Sequence, residues 1–303
     1  MIFSSLLETA WHALATHRMR SFLTMLGMVI GVAAVILMMA IGEGAQAMVR
    51  DAIKSMGSNL FIIMSGASTS GGARVPSGSA PTLTFDDADA IGKLKDVLAA
   101  APVSSGSAQL IYNGINWSTS VFGTTPDYVT VRDWPMASGG FFSEADVRSG
   151  ARVAVIGQVV VRELFGDEDP LGKVIRIKQA PFEIIGVLAA KGQSLDGRDQ
   201  DDIVMVPISS AQQKIHSNAI RNRARFIMAQ AVSEKSMDAA EAAINDTLRS
   251  RHRIGIGQED DFSVRNLTAI AETAASTTRI MSILLGTIAA ISLVVGGIGI
   301  MNI

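Results

Sequence analysis

Two short stretches of the sequence bring together residue types that could bind a phosphate group or a metal ion. Residues 166–174 (GDEDPLGKV) approach the phosphate-binding pattern G-x4-GK-[ST], but the spacing is one residue too long and Val174 replaces the hydroxyl residue. Residues 196–202 (DGRDQDD) gather four carboxylates, but without the glycine and glutamate spacing of an EF-hand. We therefore interpret the first stretch as a turn leading into a strand, and the second as a solvated loop before the buried strand IVMVP.

No other set of residues has the spacing of a catalytic or metal-binding site. The four histidines are scattered, no serine lies in a G-x-S-x-G motif, and the chain has no cysteine. The lack of cysteine excludes disulfides, CxxC redox chemistry and thiolate metal ligands. The sequence thus predicts no catalytic residue, no cofactor and no metal site, and the chain is not expected to be an enzyme or to hydrolyse ATP by itself.

The composition indicates a membrane protein. Hydrophobic residues make up 48% of the chain, charged residues make up 18%, and the mean hydropathy is +0.32. The net charge of −2 gives no reason to expect a nucleic-acid partner. The apolar residues cluster in two uncharged runs, 22 residues at 21–42 and 24 residues at 280–303. As a helix, each run is long enough to cross a hydrocarbon core of about 30 Å.

Both runs have alternative interpretations. Either could be a buried core helix, although such helices are usually shorter and interrupted by polar residues. The first run is followed by AQA at 45–47, which resembles a signal-peptidase site. A signal peptide, however, has an apolar region of only about 7–15 residues. We therefore predict two transmembrane helices, of which the first is an uncleaved anchor.

Amphipathic segments flank the two runs. Residues 1–20 have helical periodicity and are predicted to lie in the membrane interface, the alternative being a helix packed on protein. The apolar stripe of this interfacial helix includes Phe3, Leu7, Trp11 and Leu14. Helical periodicity also continues after the first run, over residues 43–57, and precedes the second run, over residues 267–279. Both membrane helices are thus predicted to extend into water as stalks.

Small residues recur on one face of each predicted membrane helix. The first helix has GxxxG spacing, and the second has small residues at 3-4-3 spacing. These positions are Gly27, Gly31, Ala289, Ser292, Gly296 and Gly299. Small residues let another helix approach closely, so they predict helix packing. Glycine could instead only ease the bending of the helices.

The region between the stalks predicts an α+β domain that begins with a strand–helix–strand unit. The strand NLFIIMS is followed by a Ser-, Gly- and Pro-rich stretch at 66–81, which we interpret as a mobile loop. Thr84 and Asp87 have the spacing of a capping box and predict a helix to about Lys95, before a strand at 97–104.

The same order of elements returns toward the end of the region. A strand at 223–232, a helix at 234–251 and a strand at 261–266 are predicted. The buried stripe of the helix is Met237, Ala240, Ile244 and Leu248. Two such units in one sheet form a split βαβ, ferredoxin-like domain. The strand-rich stretch between them, residues 109–214, predicts an inserted β-rich subdomain.

A series of ordered motifs resembles one known family. In chain order the motifs are RMRSFLTMLGMVIGVAAVILMMAIGEGA, SMGSNLFI, VFGTTPDY, GGFFSEAD, VAVIGQVVVRELFGDEDPLGKVIRI, FEIIGVLAAKG, DQDDIVMVP and VVGGIGIMNI. The series is similar to the permease of MacB-type ABC transporters, in the wider MacB/FtsX-like group, over essentially all 303 residues. The resemblance implies a periplasmic domain made of a ferredoxin-like porter part and an inserted sabre part.

With this resemblance, the domain boundaries follow in chain order. They are interfacial helix 1–20, transmembrane helix 21–42, stalk 43–57, first porter half 58–108, sabre-like insert 109–214, second porter half 215–266, stalk 267–279 and transmembrane helix 280–303. Charges around the first span determine its orientation only weakly. The resemblance implies a multi-pass protein of the bacterial inner membrane with a cytoplasmic N-terminus.

The resemblance also implies the partners and the mode of action. A separate ABC ATPase subunit would hydrolyse ATP, two permeases would pair in the lipid bilayer, and a periplasmic adaptor and an outer-membrane channel could complete an efflux system. Helix motion driven by the ATPase would be transmitted to the periplasmic domain, which is called mechanotransmission. Substrates in the family include macrolides, peptides and lipoproteins.

This chain departs from the family pattern at both ends, and it leaves two other functions open. It begins directly with the permease, and its last residue lies in the second helix, so we expect a missing second half. One alternative to a permease is a membrane-anchored periplasmic binding or sensor module, whose helices only tether the domain. The other is an anchored hydrolase, for which the failed motif search offers no support.

Overall fold

The computed structural model of the chain describes residues 18–56, 59–66, 68–70, 73–75, 82–194, 197–215 and 222–269, and also 273, 276–277, 280–281, 283–288, 290–291 and 294. The chain divides into two compact units. One unit contains residues 1–51 and 272–303, and the other contains residues 52–271.

The first unit contains a long apolar helix. Helix α1 spans Arg18–Met56, or 39 residues, which corresponds to roughly 58 Å at about 1.5 Å per residue. Within it, Met25–Ala45 has a mean hydropathy of 2.5 and none of this stretch is buried. It is the one helix in the described part of the chain that is long and apolar enough to cross a membrane. Its length and composition agree with the first predicted span.

Other predictions for the first unit lie wholly or partly outside the described residues. The interfacial stripe of Phe3, Leu7, Trp11 and Leu14 is one of them. The small residues of the second predicted span, Ala289, Ser292, Gly296 and Gly299, are also outside. The residues of that span that are described, such as Ile280 and Ile283, are helical and exposed.

The second unit consists of strands joined by short helices. In chain order its elements are β1 Leu60–Ser65, β2 Ser68–Ser70, β3 Ala73–Val75, α2 Phe85–Gly92, β4 Val97–Tyr112, β5 Ile115–Thr124, α3 Asp127–Arg132, β6 Met136–Gly139, α4 Glu144–Ser149, β7 Val153–Ile156, α5 Gln158–Leu164, β8 Val174–Ile177, β9 Ala180–Leu188, β10 Ile203–Pro207, α6 Ile208–Ser210 with a π-helical turn Ala211–Ile215, β11 Phe226–Ala231, α7 Met237–Arg251 and β12 Phe262–Asn266. A 3-10 turn, Glu234–Ser236, leads into α7.

Four strands form an antiparallel sheet in the order β12-β1-β11-β4. This order and these directions are those of the predicted split βαβ unit. Helices α2 and α7 cover one face, and the predicted stripe of α7 is confirmed as its buried side. That stripe is Met237, Ala240, Ile244 and Leu248. It packs with sheet residues such as Phe61 and Ile227 in one apolar core.

Local signals placed most of these elements correctly. The capping box of Thr84 and Asp87 is confirmed, since each side chain accepts a hydrogen bond from the other residue's backbone N–H. Helix α2 ends at Gly92 and not at about Lys95. Within the predicted loop at 66–81, the described residues include a short antiparallel ribbon of β2 and β3.

Strand β4 and five of the remaining strands close into a ring, and β6 pairs with β9 outside it. Strand β4 pairs with β11 as far as Val103 and with β5 from Ser104 onward. From β5 the pairing continues through β10, β7, β9 and β8, and β8 pairs back onto β4. The interior of the ring is apolar, with Leu110, Ile156, Ile177 and Phe182 fully buried. The sequence predicted that residues 109–214 are rich in strands, but it predicted neither the closure nor the short helices α3, α4 and α5.

A third apolar core joins the ring region to the antiparallel sheet. It lies on the sheet face opposite α2 and α7, because Leu60 and Met228 alternate with the residues that face those helices. Three aromatic residues from the inserted part contribute to it: Tyr128 in α3, Trp134 just after α3, and Phe142 between β6 and α4. The insert is therefore packed on the sheet and is not held by its connecting strands alone.

The crossing of β4 from the sheet into the ring requires small residues. A Cβ atom added at Gly123, on the neighbouring strand β5, would lie 2.3 Å from the Ala211 Cβ and 2.6 Å from the Ser104 Oγ. Neither atom belongs to a long flexible side chain that could move away. The close approach of β5 to the π-helical turn therefore depends on glycine at this position.

We predict that Gly123→Ala lowers the free energy of unfolding by about 1–3 kcal/mol, because overpacking forces the backbone to shift. Urea unfolding followed by tryptophan fluorescence measures the change, since Trp117 and Trp134 lie in this unit. Gly140→Ala is the matched control, because a Cβ there meets nothing within 4 Å. Equal stability of the two variants would contradict the prediction.

Candidate functional site

The stretch that partly resembles a phosphate-binding motif forms a surface turn. Residues 166–174 connect α5 to β8, as the sequence predicted. The Lys173 Nζ lies 2.7 Å from the Glu168 Oε1, and the Tyr112 hydroxyl donates a 3.0 Å hydrogen bond to the same carboxylate. The lysine and the acid are thus paired with each other at the surface.

The acidic stretch at 196–202 was predicted as a solvated loop, and this is wrong for Asp201. Asp201 is only 6% exposed, and its two carboxylate oxygens accept hydrogen bonds from the backbone N–H groups of Lys191 and Gly192, at 2.7 and 2.9 Å. Asp202 accepts a 2.8 Å hydrogen bond from the Trp117 indole. Two of the four acids therefore fix the loop onto the domain. Among the described residues, no group of three or more His, Asp or Glu side chains could hold a metal ion.

A buried charged cluster lies at one end of the antiparallel sheet. Besides the capping-box bond from the Thr84 backbone N–H, Asp87 of α2 accepts hydrogen bonds from the Arg251 Nε at 2.6 Å and the Thr84 hydroxyl at 2.6 Å. Its carboxylate also contacts the His252 Nε2 at 3.2 Å. The Nδ1 of His252 lies 2.7 Å from the Asp261 carboxylate. The cluster thus joins α2, the end of α7 and the start of β12.

The two buried members of the cluster have shifted pKa values. Burial alone would raise the pKa of Asp87, but hydrogen bonds from His252, Thr84 and Arg251 outweigh burial and lower it strongly. The hydrogen bond to Asp87 raises the pKa of His252 against the opposing effect of burial, with further help from Asp261. The folded state therefore favours a carboxylate and an imidazolium side by side.

The cluster has a structural role. Its acids and bases are paired with one another, and the imidazole ring is packed edge-on against Phe262 with centroids 5.9 Å apart. Sequence reasoning missed it, because Asp87 and His252 are separated by 165 residues. The one available signal was the capping box, which assigned Asp87 a local role only.

We predict that His252→Gln reduces the loss of stability between pH 6 and pH 8. The ordinary histidine pKa is about 6.5, and the folded-state pKa of His252 is raised. Its stabilisation is therefore fully present below pH 6.5 and is lost as pH rises through the folded-state pKa. Urea unfolding at both pH values measures the effect. The other three histidines are the same in both proteins, so the difference between the two pH profiles reports His252. An unchanged pH dependence would show that His252 is not coupled to Asp87.

A cavity of about 470 Å³ opens on the other face of the sheet, beside α3. Its walls come from β1, β5, β10 and β11, from α3 and the segment after it, and from the loop before β10. The apolar lining includes Ile62, Phe122, Tyr128, Trp134, Phe226, Met228 and Leu267. Three of the aromatic rings pack edge-to-face, with Phe122 centroids 6.4 Å from Tyr128 and 6.1 Å from Phe226. This volume is within the range of about 300–1,000 Å³ found for small-molecule pockets.

One cationic side chain of the cavity wall is nearly buried. Arg132, at the end of α3, is 9% exposed, and its guanidinium lies 5.7 Å from the centroid of the Trp134 ring. Its Nη2 donates to the Gln200 side chain, whereas its Nε is buried without a hydrogen-bond partner. Within the described part of the chain, no carboxylate forms an ion pair with it. Trp134 itself is fixed by a 2.8 Å hydrogen bond to the Ala189 carbonyl.

A second cation supports this wall from behind. The Lys191 Nζ donates a 2.6 Å hydrogen bond to the Arg132 carbonyl and lies 5.3 Å from the Trp134 ring centroid. Burial and the nearby positive charge of Arg132 lower the pKa of Lys191 to about 8. No local pattern indicated this arrangement, because Lys191 is brought to Arg132 and Trp134 only by the fold.

Solved structures share this fold. The crystal structure of the periplasmic region of MacB from Actinobacillus actinomycetemcomitans covers 73% of this chain and 94% of its own, with a TM-score of 0.60 and 23% identity. The extracellular domain of the noncanonic ABC-type transporter YknZ from Gram-positive bacteria covers 69% of this chain and 100% of its own, with a TM-score of 0.53 and 19% identity. The fold is that of the extracytoplasmic domain of such transporters.

The family model of the MacB-like periplasmic core domain matches residues 21–247. The chain therefore belongs to the family with the MacB-like periplasmic core domain, as its motifs predicted.

Curated relatives match nearly the whole chain. The macrolide export ATP-binding/permease protein MacB of Rhodospirillum rubrum is 41% identical over 99% of this chain. The pyoverdine export ATP-binding/permease protein PvdT of Pseudomonas entomophila is 38% identical over 98% of it. The chain spans 45% of the length of each of these relatives. Their names combine ATP binding with export, and the chain corresponds to only part of that combined protein.

Proposed function

We propose that the chain is the permease part of an ABC-type exporter in the bacterial inner membrane. Its relatives are named for the export of a macrolide and of pyoverdine, which supports an organic molecule as the cargo. The extracytoplasmic domain is the part that carries the family match. An ABC ATPase would hydrolyse the ATP.

The observation that carries this proposal is the continuity of α1. The apolar stretch Met25–Ala45 continues as the same helix to Met56, and β1 begins at Leu60. Strand β1 is central in the antiparallel sheet, with β11 and β12 on its two sides. A helix transmits displacement along its axis because its backbone hydrogen bonds hold it straight. Motion of α1 in the membrane would therefore reach the sheet directly, which is the mechanotransmission that the resemblance implies.

The membrane architecture belongs to the same proposal. Two membrane helices with stalks would flank a porter domain and a sabre-like insert, with the N-terminus in the cytoplasm and the domain in the periplasm. Gly27 and Gly31, on one face of α1, would contact a second permease. A Cβ built on Gly27 meets nothing within 4 Å among the described residues, so this side of the helix has room for a partner. An adaptor and an outer-membrane channel would complete the export path.

The alternative, an anchored binding or sensor module, requires only a tether. A tether has no need of a helix that continues beyond its apolar stretch, as α1 does to Met56. The names of the relatives also favour export over sensing. Both functions predict an extracytoplasmic domain, so the mechanical role of α1 is what separates them.

We predict that Ala47→Pro uncouples the chain from its ATPase. A proline in a helix interior costs about 3 kcal/mol and kinks the helix, and Ala47 lies between the apolar stretch and the end of α1. The permease, expressed from its complete reading frame, is purified in nanodiscs with an ABC ATPase subunit of the same organism. ATP turnover with and without the permease is then measured, and most of the stimulation is expected to disappear.

Ala47→Leu is the matched control, because leucine keeps the helix, and it should leave the stimulation unchanged. ATPase binding, measured separately by co-purification, should be the same for both variants. If the ATPase never binds the wild-type chain, the permease proposal fails. If the ATPase binds and the Ala47→Pro variant still stimulates ATP turnover as the wild type does, the proposal that α1 transmits the motion is wrong.

A further inference from the structure

We infer that the cavity beside α3 is a binding site for a small organic carboxylate with an apolar or aromatic body. The inference does not depend on transport or on an ATPase, since binding can be measured on this chain alone. It rests on the shape and lining of the cavity and on the state of Arg132.

The body of the ligand is indicated by the lining. Ile62 of β1 and Met228 of β11 form an apolar floor, and Phe122, Phe226 and Tyr128 present rings in edge-to-face packing. An apolar surface facing a cavity of about 470 Å³ gains free energy when a ligand displaces water from it. Aromatic rings gain further from edge or stacked contacts with an aromatic ligand.

The carboxylate is indicated by Arg132. A buried cation is costly unless it is paired and hydrogen-bonded, yet the Arg132 Nε has no partner and no carboxylate of the described residues pairs with the guanidinium. Its position is fixed by Gln200 and by the Trp134 ring. A planar guanidinium that lines a cavity and has no carboxylate partner among the described residues is suited to donate hydrogen bonds to the carboxylate of a ligand.

The other charged groups of the cavity wall do not substitute for the ligand. Asp199 and Asp202 also line the cavity, together with Arg198, so the wall as a whole is close to neutral. The Asp199 carboxylate accepts a 2.9 Å hydrogen bond from the Asp201 backbone N–H, and the Asp202 carboxylate accepts one of 2.8 Å from the Trp117 indole. Both acids thus already accept hydrogen bonds from the protein, whereas no carboxylate of the described residues pairs with the Arg132 guanidinium. A neutral wall also disfavours a ligand with several negative charges, which is why we infer a single carboxylate.

The test uses the full chain in nanodiscs and a pair of matched probes. 1-Naphthylacetate carries an aromatic body and a carboxylate, and 1-naphthylacetamide has the same body without the charge. Dissociation constants are measured by ligand-observed NMR, with empty nanodiscs as the blank for partition into lipid. We expect the acid to bind at least about tenfold more tightly than the amide, since a hydrogen bond to a charged group contributes about 1.5–3 kcal/mol. Equal binding of the two probes, or binding of neither, overturns the inference.

Two variants separate the head from the body of the ligand. Arg132→Gln should raise the dissociation constant of the acid by about tenfold or more, so that the acid no longer binds more tightly than the amide. Ile62→Trp should weaken both probes, because the larger side chain fills the floor. Arg162→Gln is the control for a lost arginine, since Arg162 is exposed and pairs with Glu163, and it should change neither dissociation constant. An acid preference that survives Arg132→Gln overturns the inference, and if that variant does not fold, the two probes and Ile62→Trp still decide.

Discussion

The structure depends on one long strand that belongs to two sheets. Strand β4 is hydrogen-bonded to β11 in its first half and to β5 and β8 in its second half. Because one chain segment supplies both edges, the antiparallel sheet and the ring cannot rotate freely about a linker. The crossing is possible only where side chains are small, at Ser104 and at Gly123 on the adjacent strand. The packing of α3 on the sheet, and with it the cavity, follows from this crossing.

The charged cluster of Asp87, Arg251, His252 and Asp261 provides a second, chemically different fixation. An apolar core can slide at small cost, because the hydrophobic effect has no direction. Hydrogen bonds between buried ions have fixed distances and angles, and breaking one partner leaves an uncompensated charge. The cluster therefore sets the position of α2 and α7 relative to the start of β12, whereas the apolar stripe of α7 supplies most of the burial. Position and burial are thus provided by different residues.

The sequence predicted what is encoded locally and missed what is encoded by long-range contact. The apolar stripe of α7 recurs with the helical period, and the two residues of the Thr84 capping box are three positions apart, so periodicity and spacing identified both. The closure of the ring depends on the pairing of Leu110 with Ile177, which no local pattern specifies. The short helices α3, α4 and α5 have six or seven residues each, too few for a clear helical period. The cavity was missed for the same reason, because Arg132 and Trp134 line it together with residues of strands that are distant in the sequence.

The chain path places the cavity beside the two points where the domain connects to the apolar segments. Ile62 lies on β1, three residues after Asn59 and shortly after the end of α1, and Leu267 follows the last residue of β12 directly. Both side chains line the cavity. Because β1 and β12 are hydrogen-bonded neighbours, a ligand that contacts both side chains would stabilise their pairing, and by linkage any change that weakens this pairing would lower the affinity for the ligand. Ligand binding would then be coupled to the end of the antiparallel sheet from which the chain leaves the domain.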